Sequence, residues 1–235
     1  MNRSRVLPLA AVSLTTAAAL LLTGCGGDDS GSSDKSKDKA AGSDAKKQES
    51  AGAETDGAGG ADRTPEVDRP AMKFPKDMSM VFEKTKLSDP EQAAALNDAE
   101  NYARSTVYGI IKQDPEDAAY KFYSEPKSPA AKYAKYQIDK HASGGLSLSG
   151  ERRHSDAKVQ PAKGSGGKKG GFVVTFCSDD SKIKGKDLQS GSTFPFEPGL
   201  QNFWLWTVDM VPSKSTEGLW VAHDVAVKDK AKECQ

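Results

Sequence analysis

The sequence predicts an α+β domain, helices first and antiparallel strands after them, carried behind an export leader and an unstructured spacer. Three observations point there. Apolar residues recur at three- and four-residue steps between residues 89 and 113. Beyond Gly145 the repeat shortens to two, the period of a strand. Residues 26–70, by contrast, hold no aromatic residue and almost no branched apolar one.

The first 24 residues have the anatomy of a signal peptide. Arg3 and Arg5 give a positive start, and Val6 to Leu22 an apolar stretch broken by Pro8, Ser13, Thr15 and Thr16. That stretch falls short of the roughly 20 residues a membrane-spanning helix needs. It closes on Leu22-Thr23-Gly24-Cys25, which resembles the lipobox of bacterial lipoproteins. The resemblance implies a diacylglyceryl group on the Cys25 sulfur and cleavage after Gly24. The mature chain would then begin at Cys25, on the outer face of the cytoplasmic membrane. Two acyl chains anchor a protein stably where one does so only marginally, so no transmembrane helix is required. Two other readings stay open, an ordinary signal peptide cut nearby and an uncleaved span.

Charge excludes one class of partner. Lys and Arg together number 33, as do Asp and Glu, and losing Arg3 and Arg5 with the leader leaves a slight acidic excess. Nothing in that balance favours a nucleic acid.

Residues 25–70 read as the lipidated cysteine and a disordered tether. Gly, Ser, Ala, Asp and Lys dominate, and such a segment cannot bury enough apolar surface to offset the entropy of ordering. Its charges are mixed, with no block of like sign to suggest a binding tail. As a flexible coil it would hold the following domain about 35–40 Å from the anchor.

Residues 71–235 are enough for one packed core. Met78, Met80 and Phe82 alternate, predicting a short strand or an extended lead-in. Ser88 and Glu91 have capping-box spacing ahead of a helix over 89–113, whose apolar face is Leu96, Ala99, Ala103, Val107, Ile110 and Ile111. Asp114-Pro115 predicts the start of a second helix. Ser128-Pro129 predicts a third, ending at Gly144 and Gly145. Residues 146–162 make a polar, weak strand, and GSGGKKGG (164–171) a hairpin turn. FVVTFC (172–177), FWLWTVDMV (203–211) and LWVAHDVAV (219–227) complete a sheet with the helices on one face.

Helices followed by a long meander resemble the nuclear transport factor two-like, or cystatin-like, cone. Several segments resemble more closely those of actinobacterial secreted lipoproteins of unknown function: PKDMSMVFEKTKLSDPEQAAALNDAE, FCSDDS, GLWVAHDV and the terminal KECQ. The resemblance spans about residues 74–235. It implies a cone-like, curved sheet whose helices close one mouth and leave a pocket that relatives use for small ligands.

Three cysteines in an exported chain ask what becomes of the odd one. With Cys25 taken by lipid, Cys177 and Cys234 remain for one disulfide in an oxidising compartment. Free thiols or a metal site are the alternatives, and without a CxxC pair and with three histidines a zinc set is poorly supplied.

Catalytic motifs fail on inspection. Gly164 to Lys169 lacks the spacing of a phosphate loop. Gly145-Leu146-Ser147-Leu148-Ser149 lacks the second glycine of a nucleophile elbow. His141 falls near a helix C-terminus, which suits a positive ring, and His154 sits on a polar strand beside Arg152 and Arg153. Strict alternation puts His223 on the inward face with Leu219, Val221 and Val225. Cone-fold enzymes keep an acid/base residue inside, so His223 is the residue such an enzyme would use. Tyr102, Tyr108, Trp204, Trp206 and Trp220 could line a pocket or fill a core. No cofactor motif is present. The sequence therefore predicts a membrane-anchored, non-enzymatic domain that binds a small molecule or a protein partner. A cone-fold enzyme and a purely structural envelope protein are the alternatives.

Overall fold

The computed structural model describes residues 67–162 and 170–235. The lipobox residues Leu22, Thr23, Gly24 and Cys25, the leader, most of the spacer and the glycine-rich turn lie outside the described residues. The elements run β1 (Met78–Phe82), α1 (Pro90–Lys112), α2 (Ala118–Tyr123), α3 (Pro129–Ser143), β2 (Leu146–Pro161), β3 (Phe172–Asp187), β4 (Thr193–Pro195), β5 (Phe203–Pro212) and β6 (Trp220–Lys228). They form a mixed α+β fold, three helices against a curved six-stranded sheet of order β1-β2-β3-β5-β6, with β4 beside β3.

The sheet is not wholly antiparallel. β1 precedes the helices and pairs in parallel with β2, Met78 opposite Gly150 and Phe82 opposite His154. The helical segment between them acts as the crossover that a parallel pair requires. The other pairings between strands among the described residues are antiparallel, and a single parallel bridge joins Ser124 to Ala222. β3 runs ten residues past its apolar start: β5 pairs with Phe172–Asp179, and β4 continues the same edge from Lys184 to Lys186.

Local chemistry sets the helix ends, twice differently from expectation. Asp89, not Ser88, caps α1: its Oδ1 accepts the N–H of Glu91 at 2.8 Å and of Gln92 at 3.3 Å. Pro90 explains this, because a residue before proline is held extended and so takes the cap position, with proline at the first helical site. Asp114-Pro115 forms a turn rather than a helix, and α2 begins only after Asp117, whose Oδ1 accepts from Ala119 N–H at 2.8 Å. Ser128 caps α3 as expected, accepting from Ala131 N–H at 3.1 Å.

The core lies between the helices and one face of the sheet. α1 contributes Ala99, Tyr102, Ala103, Val107 and Ile110, α3 contributes Ala130, Ala134 and Ile138, and the strands Val174, Phe176, Val208, Met210 and Ala222. Each fully buried branched side chain is worth about 1.5–3 kcal/mol. α1 and α3 approach closely at Gly109, where a Cβ would overlap Ile138 Cδ1. Cys177 and Cys234 are disulfide-bonded, Cα to Cα 5.3 Å, which fastens the C-terminal turn Lys232–Cys234 to β3. Among the described residues no helix is long and apolar enough to cross a membrane.

Candidate functional site: a cavity between the helices and the sheet

Alternation along three adjacent strands turns one set of side chains toward α1 and α3. Trp204 pairs with Ser178 and Trp206 with Phe176, so the two indoles stand side by side on β5. Trp206 stacks on Phe176 with ring centroids 5.8 Å apart, and Tyr133 of α3 meets it edge-on at 6.0 Å. The helices stop short of filling the space above this surface. A cavity of about 560 Å³ remains, walled by Trp204, Trp206, Tyr133, Leu148, Ile183 and the α1 residues Val107 and Ile110.

One end of the cavity is polar. Arg152 of β2 donates from Nε and Nη2 to the two carboxylate oxygens of Asp180 on β3, each at 2.6 Å. Their side chains are 13% and 12% exposed, so this bidentate pair is largely withdrawn from solvent. Ser178 donates to the same carboxylate at 3.2 Å. Burial pushes the Tyr133 phenol up to about 12, with Arg152 opposing and Asp180 reinforcing the shift. Tyr133 is therefore a neutral hydroxyl at any physiological pH.

The rim mixes apolar and polar side chains, Phe196 with Gln137, Lys140, His141 and Glu197. The exposed large hydrophobic side chains among the described residues are Tyr136, Leu188, Phe194 and Phe196, carried by α3 and the segment that ends β3 and turns through β4. Phe196 lines the cavity itself and packs edge-to-face on Phe194 at 6.2 Å. Phe194 lies over Gly185, where any side chain would overlap its ring. Gln137, Lys140 and His141 complete the rim from the last turns of α3, where His141 Nδ1 sits 2.8 Å from Gln137 O.

The residues singled out by sequence divide. Trp204 and Trp206 line the cavity. Tyr102 is fully buried and donates to Ala130 O at 2.8 Å. Tyr108 packs against Phe74 at 5.8 Å, with Lys112 over its ring. Trp220 is buried against Phe172 at 5.0 Å. None of these last three borders the cavity.

His223 does not face inward. Asp209 pairs with Asp224 and Met210 with Ala222, so His223 is the extra residue of a bulge, and the inward alternation read from Leu219 breaks there. The ring lies 52% exposed, with Nδ1 2.6 Å from Glu125 Oε2. His154 departs from expectation in the opposite sense. It is 2% exposed, stacked on Phe82 at 4.3 Å and edge-on to Phe176, and among the described residues neither ring nitrogen makes a well-formed hydrogen bond, the Cys177 backbone being the polar group beside it. Burial, with Arg152 and Arg104 nearby, holds it well below the usual histidine range, so the ring is neutral.

Arg152, Asp180 and Tyr133 were not among the sequence candidates. A signal for the first was available: alternation from Leu148 puts Gly150, Arg152 and His154 on the core face. Among the described residues no cluster of His, Cys, Asp and Glu could hold a metal ion.

No family model and no curated protein matches the chain. Two solved structures are similar to it. One, from Catenulispora acidiphila, is 8% identical over 60% of this chain and 96% of that one, with a TM-score of 0.39. The other, the intermembrane space region of the chloroplast protein ARC6, is 10% identical over 59% of this chain and 96% of that one, with a TM-score of 0.37.

Proposed function

We propose that this protein is a lipid-anchored lipoprotein of the bacterial envelope that binds a small molecule in the cavity between its helices and its sheet, as relatives of the cone fold it resembles do. The cavity is the observation that carries this reading. Its volume, about 560 Å³, lies within the roughly 300–1,000 Å³ common to small-molecule sites, and it joins aromatic walls to a few converging polar groups. A filled interior would have favoured a structural role. The enzymatic alternative needs His223 and a carboxylate inside, and that pair stands outside the cavity on Glu125.

Leu22 to Cys25 supports the address. Cys25→Ala is expected to abolish labelling by a radiolabelled fatty acid and release the chain from the membrane; a chain that stays membrane-bound with its mass unshifted overturns the anchor. The released full-length chain then serves for the ligand. Native mass spectrometry is expected to show an adduct that disappears on denaturation. A native mass equal to the polypeptide, with small hydrophobic probes also failing to bind, overturns the ligand-site reading.

A further inference from the structure

Where Arg152 meets Asp180 the cavity has spare donors and no spare charge, the other charged groups bordering it being Lys140 and Glu197. A guanidinium carries five N–H groups. Arg152 spends two of them, one on Nε and one on Nη2, on Asp180. The others make no hydrogen bond among the described residues, nor does the Tyr133 hydroxyl. Both side chains border the cavity. Asp180 meanwhile cancels the arginine's charge at 2.6 Å. An anion entering here would lose its water, meet the Asp180 carboxylate and gain no net positive charge, an unfavourable exchange. A neutral acceptor oxygen is cheap to desolvate and finds charge-assisted donors waiting.

Resting on the reading of this cavity as a ligand site, we infer that its ligand is a largely apolar molecule carrying a neutral carbonyl-type oxygen at its inner end, received by Arg152 and Tyr133. Trp204 and Trp206 flank the body of the molecule, and its outer end covers the exposed rings of Phe194 and Phe196. The same ligand would cover the exposed Phe194–Phe196 pair, which an empty domain presents to water.

Equilibrium dialysis of the full chain carrying Cys25→Ala tests this with three probes matched in shape: 2-acetylnaphthalene, 2-ethylnaphthalene and 2-naphthoate, at pH 8. The ketone is expected to bind about tenfold more tightly than the hydrocarbon, the worth of a hydrogen bond to a charged donor, and more tightly than the anion. Tyr133→Phe, which removes one hydroxyl, should lower the ketone's preference several-fold. Arg152→Met with Asp180→Leu should bring ketone and hydrocarbon within about twofold while hydrocarbon binding persists. The inference is overturned if naphthoate binds tightest, if ketone and hydrocarbon bind the native chain equally, or if the preference survives both variants. Should the double variant fail to melt cooperatively, Tyr133→Phe decides alone, an unchanged preference overturning the inference. Binding of none of the probes removes the ligand-site reading itself, and binding without preference removes only this inference.

Discussion

Asp98, in the middle of α1, accepts the backbone N–H of Trp220 at 3.0 Å, tying the first long helix to the head of β6 across 122 residues of sequence. The same carboxylate takes three hydrogen bonds from Arg69, at 2.8 to 3.1 Å, and so fastens the segment that leads into the domain. Asp98 is fully buried, and burial raises its carboxyl above the usual range, with the Trp220 N–H and Arg69 pulling it back. Asp98→Ala would leave a buried N–H unpaired and Arg69 without its partner. The expected loss is about 3 kcal/mol in urea unfolding. Asp98→Asn keeps an acceptor for Trp220 and should cost less.

His154 predicts a gain. Its ring lies between Phe82 and Phe176 with two buried nitrogens and, among the described residues, no well-formed hydrogen bond to either. His154→Phe exchanges those nitrogens for C–H groups in a site already built for an aromatic ring. Stability at pH 7 should rise by about 1–2 kcal/mol. The gain should widen in acid. The unfolded histidine takes a proton near pH 6.5 and the folded one only well below it, so the native chain loses stability as pH falls through and below 6.5. Thermal melts of both chains between pH 5 and 8 would show it. Equal slopes in that interval would mean that His154 carries no such penalty.

These two sites show what the sequence could and could not disclose. The apolar face of α1 was legible because every contact it predicts repeats within a turn or two, and the disulfide was legible by counting. Pairing across long separations was not. Nothing local in MSMVF specifies that β1 joins β2 in parallel. The inward place of His223 was lost to one residue of bulge opposite Asp209 and Met210, which only the partner strand reveals. The Arg152–Asp180 pair depends on the β2–β3 register, itself shifted between Glu151 and Arg153. Polar residues on a strand are read as solvated, and both Arg152 and His154 were hidden by that rule.

The disulfide should be worth more than its terminal position suggests. Cys177 and Cys234 lie 57 residues apart, and closing a loop of that length removes about 4 kcal/mol of unfolded-state entropy in the chain-entropy argument. The bond also holds the last turn, where Ala231 is fully buried and its N–H bonds Phe203 O at 3.0 Å. Cys177→Ala with Cys234→Ala should lower the urea midpoint strongly and expose the C-terminus to carboxypeptidase before the rest of the domain unfolds. Protection of the tail in the variant would show that Ala231 alone suffices.

Glu100 predicts the opposite pH response to His154. It lies on α1 one turn before Arg104, and burial raises its carboxyl to about 7 from an ordinary 4.5, with Arg104 opposing. Between those two values the native chain holds a proton that the unfolded chain has released. Stability therefore falls as pH rises from 4.5 toward 7 and is level above. Glu100→Gln removes the penalty. Discounted for the carboxyl's partial exposure, the variant should be more stable than the native chain by about 1–2 kcal/mol at pH 8 and indistinguishable from it at pH 4. A difference that did not vanish in acid would assign the effect to packing at this position rather than to the charge.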